Sequence, residues 1–167
     1  MKWIGLGLVA LAVTAWGLEK TARLSARTNA LRAMELLCRR VDGEIAYTAA
    51  SPAQIMARLS RDTSLRELPF LAAFSAVAPA DFCKKWQEEL DAFCRCHGLN
   101  AEETALCRDF GAALGTTDLN GQRTWCASCA EKLREAGQNA GRDYAEKGRL
   151  YASLGALGGA AAVLILL

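Results

Sequence analysis

Residues 31–45, LRAMELLCRRVDGEI, decide the fold predicted for this chain. Their apolar side chains recur alternately three and four residues apart, the heptad spacing of a helix that packs along one face against another helix. No proline precedes this stretch, so we predict one long helix that begins near the N-terminus and ends near Tyr47. The apolar positions are Leu31, Met34, Cys38, Val41 and Ile45.

A second stretch, with apolar positions three or four residues apart, lies near the other end of the chain. It follows Asp118, a residue type that commonly caps the first turn of a helix. No proline follows it, so it too is predicted to form a long helix. We expect the two long helices to pair antiparallel as a stalk. The second set of apolar positions is Cys126, Cys129, Leu133, Ala136, Ala140 and Tyr144.

Shorter helices are predicted between the two long ones. Ser51 before Pro52, and Asn100 with Glu103, are helix-start signals, and Gly115 is a predicted C-cap. Prolines bracket a short apolar helix at 70–78. The predicted buried positions are Ile55, Met56, Leu59, Phe82, Trp86, Leu90, Phe93, Leu106, Phe110, Ala113 and Leu114.

Both ends of the chain, 3–18 and 150–167, are apolar and uncharged. As helices they would be roughly 24 and 27 Å long, slightly short for about 30 Å of hydrocarbon. We predict transmembrane helices at 3–18 and 150–167. A cleaved signal peptide is the alternative for the first run. In the second run Gly155 and Gly159 form a GxxxG pattern, which allows close helix contact in lipid.

The predicted fold is therefore all-α: an antiparallel helical stalk continuous with N- and C-terminal transmembrane helices, capped by a small helical bundle. Residues 19–149 form the bundle domain. Basic residues flank both apolar runs on the side of this domain, which places it in the cytoplasm by the positive-inside rule. The net charge of +2 is too small to indicate nucleic-acid binding. The flanking residues are Lys20, Arg23, Arg27, Arg32, Arg142, Lys147 and Arg149.

Several short segments, in a fixed order along the chain, match a known family. They are residues 31–32, 44–47, Pro52, Trp86, 110–115, Asp118, Gln122 and 153–159. On these segments the chain resembles the stage III sporulation protein AB family of endospore-forming bacteria over essentially its whole length. The family is similar to the inner-membrane platform protein of type II secretion systems, and its cytoplasmic domain is a helical bundle.

The resemblance implies a scaffold in the channel complex between mother cell and forespore. It implies a location in the outer forespore membrane, on the mother-cell side. The implied partners are the secretion-ATPase-like stage III sporulation protein AA and other membrane components of the complex. The candidate interaction residues are Glu44, Tyr47, Phe110, Gly111, Leu114, Gly115, Asp118, Gln122, Leu154 and Gly155.

These candidate residues also have purely structural interpretations. Glu44 and Tyr47 would close the stalk helix, with Tyr47 packed on the bundle. Gly111 in a helix costs about 1 kcal/mol relative to Ala, which tight packing against a neighbouring helix would explain. Asp118 would cap the last long helix, and Gln122 would bond to the same loop.

The seven cysteines depart from the family pattern. Cys94 and Cys96 beside His97, together with Cys126 and Cys129, have spacings at which zinc ligands occur. We favour free thiols packed in the core, with a zinc site or a disulfide as alternatives. Those alternatives correspond to a membrane-anchored thiol or zinc adaptor, or to an exported disulfide-containing helical protein. The remaining cysteines are Cys38, Cys83 and Cys107.

No motif of a known catalytic or nucleotide-binding site occurs in the sequence. P-loop, HExxH, GxSxG and dinucleotide patterns are all missing from the printed chain, and the single histidine has no acid placed to orient it. We therefore expect no enzyme activity, no catalytic residues, no bound metal, no cofactor and no small-molecule substrate.

Overall fold

Every regular element in the computed structural model is helical, over the residues that it describes: 2–48, 50–151, 153–154 and 157. The predicted all-α class is thus confirmed. The α-helices are α1 (Lys2–Tyr47), α2 (Pro52–Leu59), α3 (Phe82–His97), α4 (Ala101–Ala113) and α5 (Leu119–Asp143). Three 3-10 helices lie between α2 and α3, at Thr63–Leu65, Pro69–Ala76 and Pro79–Asp81, and a π-helical turn, Tyr144–Gly148, follows α5.

The chain forms two compact units, whose borders fall inside α1 and α5. The central unit is Asn29–Gln138, and the terminal unit is Met1–Thr28 with Asn139–Leu167. The predicted borders at 18/19 and 149/150 concern the position of a bilayer, and they stay predictions.

Within the central unit, α1 and α5 run antiparallel. A Cβ placed on Gly137 of α5 would lie 3.7 Å from Cβ of Leu31, and the side chain of Arg123 bonds to that of Asp42 at 2.9 Å. The contact therefore moves backwards along α5 as it moves forwards along α1, which confirms the predicted antiparallel pairing in this unit. All five predicted heptad positions of α1 are buried.

The heptad prediction for α5 holds over most of the helix and fails at its end. Cys126, Cys129, Leu133 and Ala140 are buried, while Ala136 is only half-buried. Tyr144 is 40% exposed, so its predicted burial is wrong. Two features account for this: Tyr144 lies four residues after Ala140, where the alternating spacing requires three, and a π-helical turn begins at Tyr144. Its i→i+5 bonds put an extra residue into the turn and rotate the side chains away from the heptad register.

The core of the small bundle is a cluster of aromatic rings around Trp86 of α3. Ring centroids of Phe70 and Phe110 lie 5.7 and 5.8 Å from that of Trp86. Phe70 belongs to the 3-10 helix Pro69–Ala76, which lies where a short apolar helix at 70–78 is predicted. The predicted apolar face of α3 is confirmed, and its buried residues are Phe82, Trp86, Leu90 and Phe93.

Of the four positions predicted to be buried in this part of the chain, Phe110 and Leu114 are buried. Leu106 and Ala113 are only half-buried, whereas Cys107 and Gly111 are buried together with Phe110. The tight packing of Gly111 was predicted, whereas Cys107 was not included in the predicted apolar face of this helix.

The predicted helix starts are confirmed by capping boxes. Ser51 accepts a hydrogen bond from the backbone N–H of Gln54, whose side chain bonds back to the N–H of Ser51. Asn100 and Glu103 exchange the same pair of bonds at 2.8 and 2.9 Å. These bonds satisfy N–H groups that otherwise have no partner in the first turn of a helix.

Among the described residues, no helix is both long enough and apolar enough to cross a bilayer. The two predicted spans are therefore not confirmed. Gly155, Gly159 and most of the second span lie outside the described residues.

Candidate interaction site

Gly111 lies against the indole ring of Trp86. A Cβ atom built on Gly111 would overlap Nε1, Cδ1 and Cε2 of that ring. The indole N–H donates to the backbone carbonyl of Cys107 at 3.2 Å, which fixes the ring in place. The tight contact predicted for Gly111 is confirmed, and it explains the glycine by packing inside the protein.

Two further candidate residues of the same segment are also buried in the core. Phe110 has no exposed surface, and Leu114 has 4%. Side chains that deep in a core are inaccessible to a partner protein. The family motif at 110–114 therefore maintains the packing of α4 on α3 in this structure.

The loop between α4 and α5 is held by its own polar groups. Gly115 adopts a left-handed conformation, with a φ angle of 80°, and its N–H donates to the side-chain oxygen of Gln122 at 3.1 Å. The amide nitrogen of Gln122 in turn donates to the carbonyl of Thr117 at 2.8 Å. Asp118 accepts from the N–H of Gly121 at 3.1 Å. The predicted roles of Asp118 and Gln122 in capping and loop closure are thus confirmed.

Tyr47, the last residue of α1, has 91% of its surface exposed. The expectation that Tyr47 packs on the bundle is therefore wrong. Glu44, one turn earlier, accepts a hydrogen bond of 2.7 Å from Arg58 of α2. The structure thus separates these two candidate residues: Glu44 joins α1 to α2, and Tyr47 points away from the core.

Two ion pairs beside Tyr47 connect α1 to the segment that follows it. Arg40 lies 3.3 Å from Asp62, and Arg58 lies 2.7 Å from Glu44. These side chains border a cleft of about 310 Å³, which Tyr47 also lines. We call Tyr47, Arg39, Arg40 and Arg58 the Tyr47 surface. Its arginines were not singled out from the sequence, because long-range ion pairs leave no local pattern.

The second exposed apolar side chain of the central unit lies at the same end of the α1–α5 pair. Among the described residues of this unit, the large exposed hydrophobic side chains are those of Tyr47 and Leu119, which is 60% exposed. Leu119 begins α5 and Tyr47 ends α1. The Arg123–Asp42 contact keeps these two helix ends together.

The family model for stage III sporulation protein AB (spore_III_AB) matches residues 2–167. The chain belongs to the stage III sporulation protein AB family. Comparison with curated proteins and with solved structures gives no match. Membership of this family makes the chain a stage III sporulation protein.

The candidate residues of this family member near its C-terminus are only partly described. Leu154 is helical and 53% exposed, while Gly155 lies outside the described residues. Their assignment to an interaction stays a prediction.

The seven cysteines of this family member are free thiols, and five of them are buried. Burial raises the pKa of Cys126 to about 12 and that of Cys129 to about 11. The thiol of Cys107 donates to Cys94, which raises the pKa of Cys107 and lowers that of Cys94. The exposed thiols are those of Cys83 and Cys96.

The residues considered for a zinc site do not converge. Ring nitrogen Nδ1 of His97 lies 2.8 Å from the carbonyl of Phe93, and the two rings lie 4.1 Å apart. In the described part of the chain, which includes all seven cysteines, no group of three His, Cys, Asp or Glu residues is arranged to hold a metal ion.

Proposed function

We propose that this chain is a non-catalytic membrane scaffold of the channel complex between mother cell and forespore. In this proposal it lies in the outer forespore membrane on the mother-cell side. Its central unit is cytoplasmic and docks a secretion-ATPase-like protein, stage III sporulation protein AA. Membership of the stage III sporulation protein AB family supports this role, and the apolar runs at 3–18 and 150–167 support the membrane attachment.

The single observation that carries the docking part of this proposal is the exposure of Tyr47. A tyrosine side chain with 91% of its surface in solvent contributes almost nothing to the fold. Tyrosine is also one of the residue types enriched among side chains that dominate binding energy at protein interfaces. The other motif residues of the central unit are explained by packing, capping or ion pairing inside the protein, whereas Tyr47 is not.

The location of the central unit can be tested with its two exposed thiols. Intact cells that produce the full chain are treated with a membrane-impermeant maleimide, before and after permeabilisation. Cys83 and Cys96 are exposed, while the other five thiols are buried. A cytoplasmic central unit should be labelled only after permeabilisation.

The control for this experiment is the double variant Cys83→Ala, Cys96→Ala, which should not be labelled in native protein under either condition. Labelling of the wild-type chain in intact cells would place the central unit outside the cytoplasm. It would contradict both the topology and the docking of a cytoplasmic ATPase.

Docking itself can be tested by co-production of the full chain with stage III sporulation protein AA. The two proteins are extracted in a nonionic detergent and purified through a tag on one of them. We expect the two proteins to co-purify. The dissociation constant is then measured by mixing the two proteins after each has been purified alone. No binding between the purified wild-type proteins would contradict the docking part of the proposal.

A further inference from the structure

The ion pairs beside Tyr47 turn their arginine members towards solvent. The Arg40 side chain is 51% exposed, against 27% for its partner Asp62. The Arg58 side chain is 52% exposed, against 25% for Glu44. The carboxylates therefore form the inner part of each pair, and the guanidinium groups form the outer part. A partner protein approaching this face meets positive charge first.

The same arrangement recurs on the neighbouring turn of α1 and at the start of α5. Arg39 is 56% exposed, against 20% for Glu35, and Arg123 is 50% exposed, against 33% for Asp42. It also occurs elsewhere in this unit, since Arg66 is 83% exposed, against 50% for Glu67, and Arg108 is 43% exposed, against 36% for Asp91. In the Arg134–Glu131 pair further along α5, the carboxylate is the more exposed member, at 54% against 38%. What distinguishes the end of the unit where α1 stops is that three of these outward arginines, Arg39, Arg40 and Arg58, line the same cleft as the exposed Tyr47.

An exposed tyrosine among outward arginines has the composition of a protein-binding surface. Tyrosine and arginine are enriched among interface residues that carry most of the binding energy. Planar guanidinium groups recognise carboxylates with two parallel hydrogen bonds. Surfaces that bind anionic lipid are instead unbalanced clusters of basic residues. Here each of Arg40 and Arg58 has a carboxylate beneath it.

We propose that the Tyr47 surface binds an acidic segment of the docked partner protein. The tyrosine ring inserts into an apolar pocket of the partner next to the acidic segment. The outer faces of Arg39, Arg40 and Arg58 form hydrogen bonds to the carboxylates of that segment. This inference rests on the proposed docking function and names the chemistry of the partner's contact. In this proposal Glu44 does not touch the partner but holds Arg58 in place through the 2.7 Å bond.

The test measures the affinity of the full chain for stage III sporulation protein AA in nonionic detergent micelles, which contain no anionic lipid. Tyr47→Ala should weaken binding about tenfold or more, as truncation of a dominant interface side chain does. The double variant Arg40→Glu, Arg58→Glu should weaken binding at least as much. The matched control is Arg95→Glu, which reverses an exposed arginine on α3 and should leave binding within about twofold.

Salt dependence gives a second readout. Binding through outward arginines weakens as ionic strength rises, because exposed charges are screened. Wild-type affinity should therefore fall with added salt, and that of the Arg40→Glu, Arg58→Glu variant should fall much less. Tyr47→Ala should retain the wild-type salt dependence while lowering affinity at every salt concentration.

A charge exchange identifies the partner segment. A photoreactive amino acid at position 47 is crosslinked to the bound partner, and the crosslinked peptide is sequenced. Lysine in place of the acidic residues of that peptide should restore binding to the Arg40→Glu, Arg58→Glu variant and weaken binding to wild type.

Three results separate this inference from the proposed function. If wild type binds and both the Tyr47 and the arginine variants bind equally well, the Tyr47 surface is not the docking surface, although docking stands. If the crosslinked peptide is basic or uncharged, the assignment of an acidic segment is overturned. If wild type does not bind at all, the docking proposal fails, and this inference fails with it. Because Tyr47 is outside the core, loss of binding by Tyr47→Ala with an unchanged melting temperature cannot be attributed to unfolding.

Discussion

Gly111 in the central unit and Gly148 in the terminal unit are both buried glycines, yet a methyl group would meet very different surroundings at the two positions. At Gly111 it would overlap the indole ring of Trp86. At Gly148 it would lie 3.3 Å from Cδ2 of Tyr144 and 3.5 Å from Cγ2 of Thr21. The first position has no space for a side chain, and the second almost has enough.

The difference reflects how each unit is held together. The central unit packs large rigid side chains around Trp86. Such a close-packed core has no room for a larger side chain. The described contacts of the terminal unit combine polar and aromatic ones: the Thr21 hydroxyl lies 3.0 Å from the carbonyl of Gly17 and 3.1 Å from that of Gly148, Arg27 pairs with Asp143 at 3.5 Å, and the rings of Trp16 and Tyr151 meet edge to face. Substitutions that change volume should therefore damage the central unit far more than the terminal one.

The largest effect is expected at Gly111. Gly111→Leu should lower the free energy of unfolding by at least about 1–3 kcal/mol, the usual cost of overpacking a core. It should do so even though leucine is the better helix former by about 1 kcal/mol. Ala112→Leu is the matched control, because Ala112 is the exposed neighbour on the same helix. The measurement is urea unfolding of the full chain in detergent, followed by circular dichroism.

The contact with Trp86 can be isolated by a second substitution. If the indole ring causes the overlap, Gly111→Ala should cost less in a Trp86→Leu background than in wild type. This non-additivity is characteristic of residues in direct contact. A higher melting temperature for Gly111→Leu than for wild type would mean that Gly111 is not packed, and the comparison with Gly148 would lose its basis.

A middle-sized effect is expected from the buried thiols of the central unit at alkaline pH. Burial raises the pKa of Cys126 from 9.0 to about 12. Between these values the unfolded thiol loses its proton and the folded one keeps it. The folded state then binds more protons, so stability falls as pH rises through this window. Below pH 9 the contribution of Cys126 is fully present.

This pH dependence can be measured as the urea midpoint at pH 8 and pH 10. Wild type should lose stability between the two values, and Cys126→Ala should lose less of it. Part of the slope should remain in the variant, because burial also raises the pKa of Cys129. If Cys126→Ala loses as much stability between pH 8 and pH 10 as wild type does, Cys126 has the same pKa in the folded and the unfolded state, and the prediction is wrong.

The sequence predicted the features that depend on local patterns. Heptad spacing identified the buried face of α1 from Leu31 to Ile45, because a buried helical stripe needs that spacing whatever its partner. The capping boxes at Ser51 and Asn100 were equally local, since their bonds span three residues. Even the tight contact of Gly111 was predictable, because a glycine inside a helix is costly unless space requires it.

Features that depend on distant residues or on small changes of helix register could not be predicted in the same way. The π-helical turn that begins at Tyr144 was not predicted from the sequence. The predicted buried stripe of α5 was therefore extended to Tyr144, beyond its last buried residue. The exposure of Tyr47 depends on where the chain turns after α1. The outward arginines of the Tyr47 surface depend on carboxylates as far away in sequence as Asp62, which pairs with Arg40.

The smallest effect is expected from Gly148→Ala in the terminal unit. The new Cβ would be slightly close to the ring of Tyr144, but that side chain is 40% exposed and has room to move. Alanine also restricts the unfolded chain more than glycine, a gain of up to about 1 kcal/mol. The two terms nearly cancel, so stability should stay within about 0.5 kcal/mol of wild type.

The local readout for Gly148→Ala is amide hydrogen exchange around Thr21. The comparison variant is Thr21→Val, which removes the hydroxyl bond to Gly148 and should cost about 1 kcal/mol. A loss for Gly148→Ala as large as that for Gly111→Leu would show that the terminal unit is packed as tightly around Gly148 as the central unit is around Gly111.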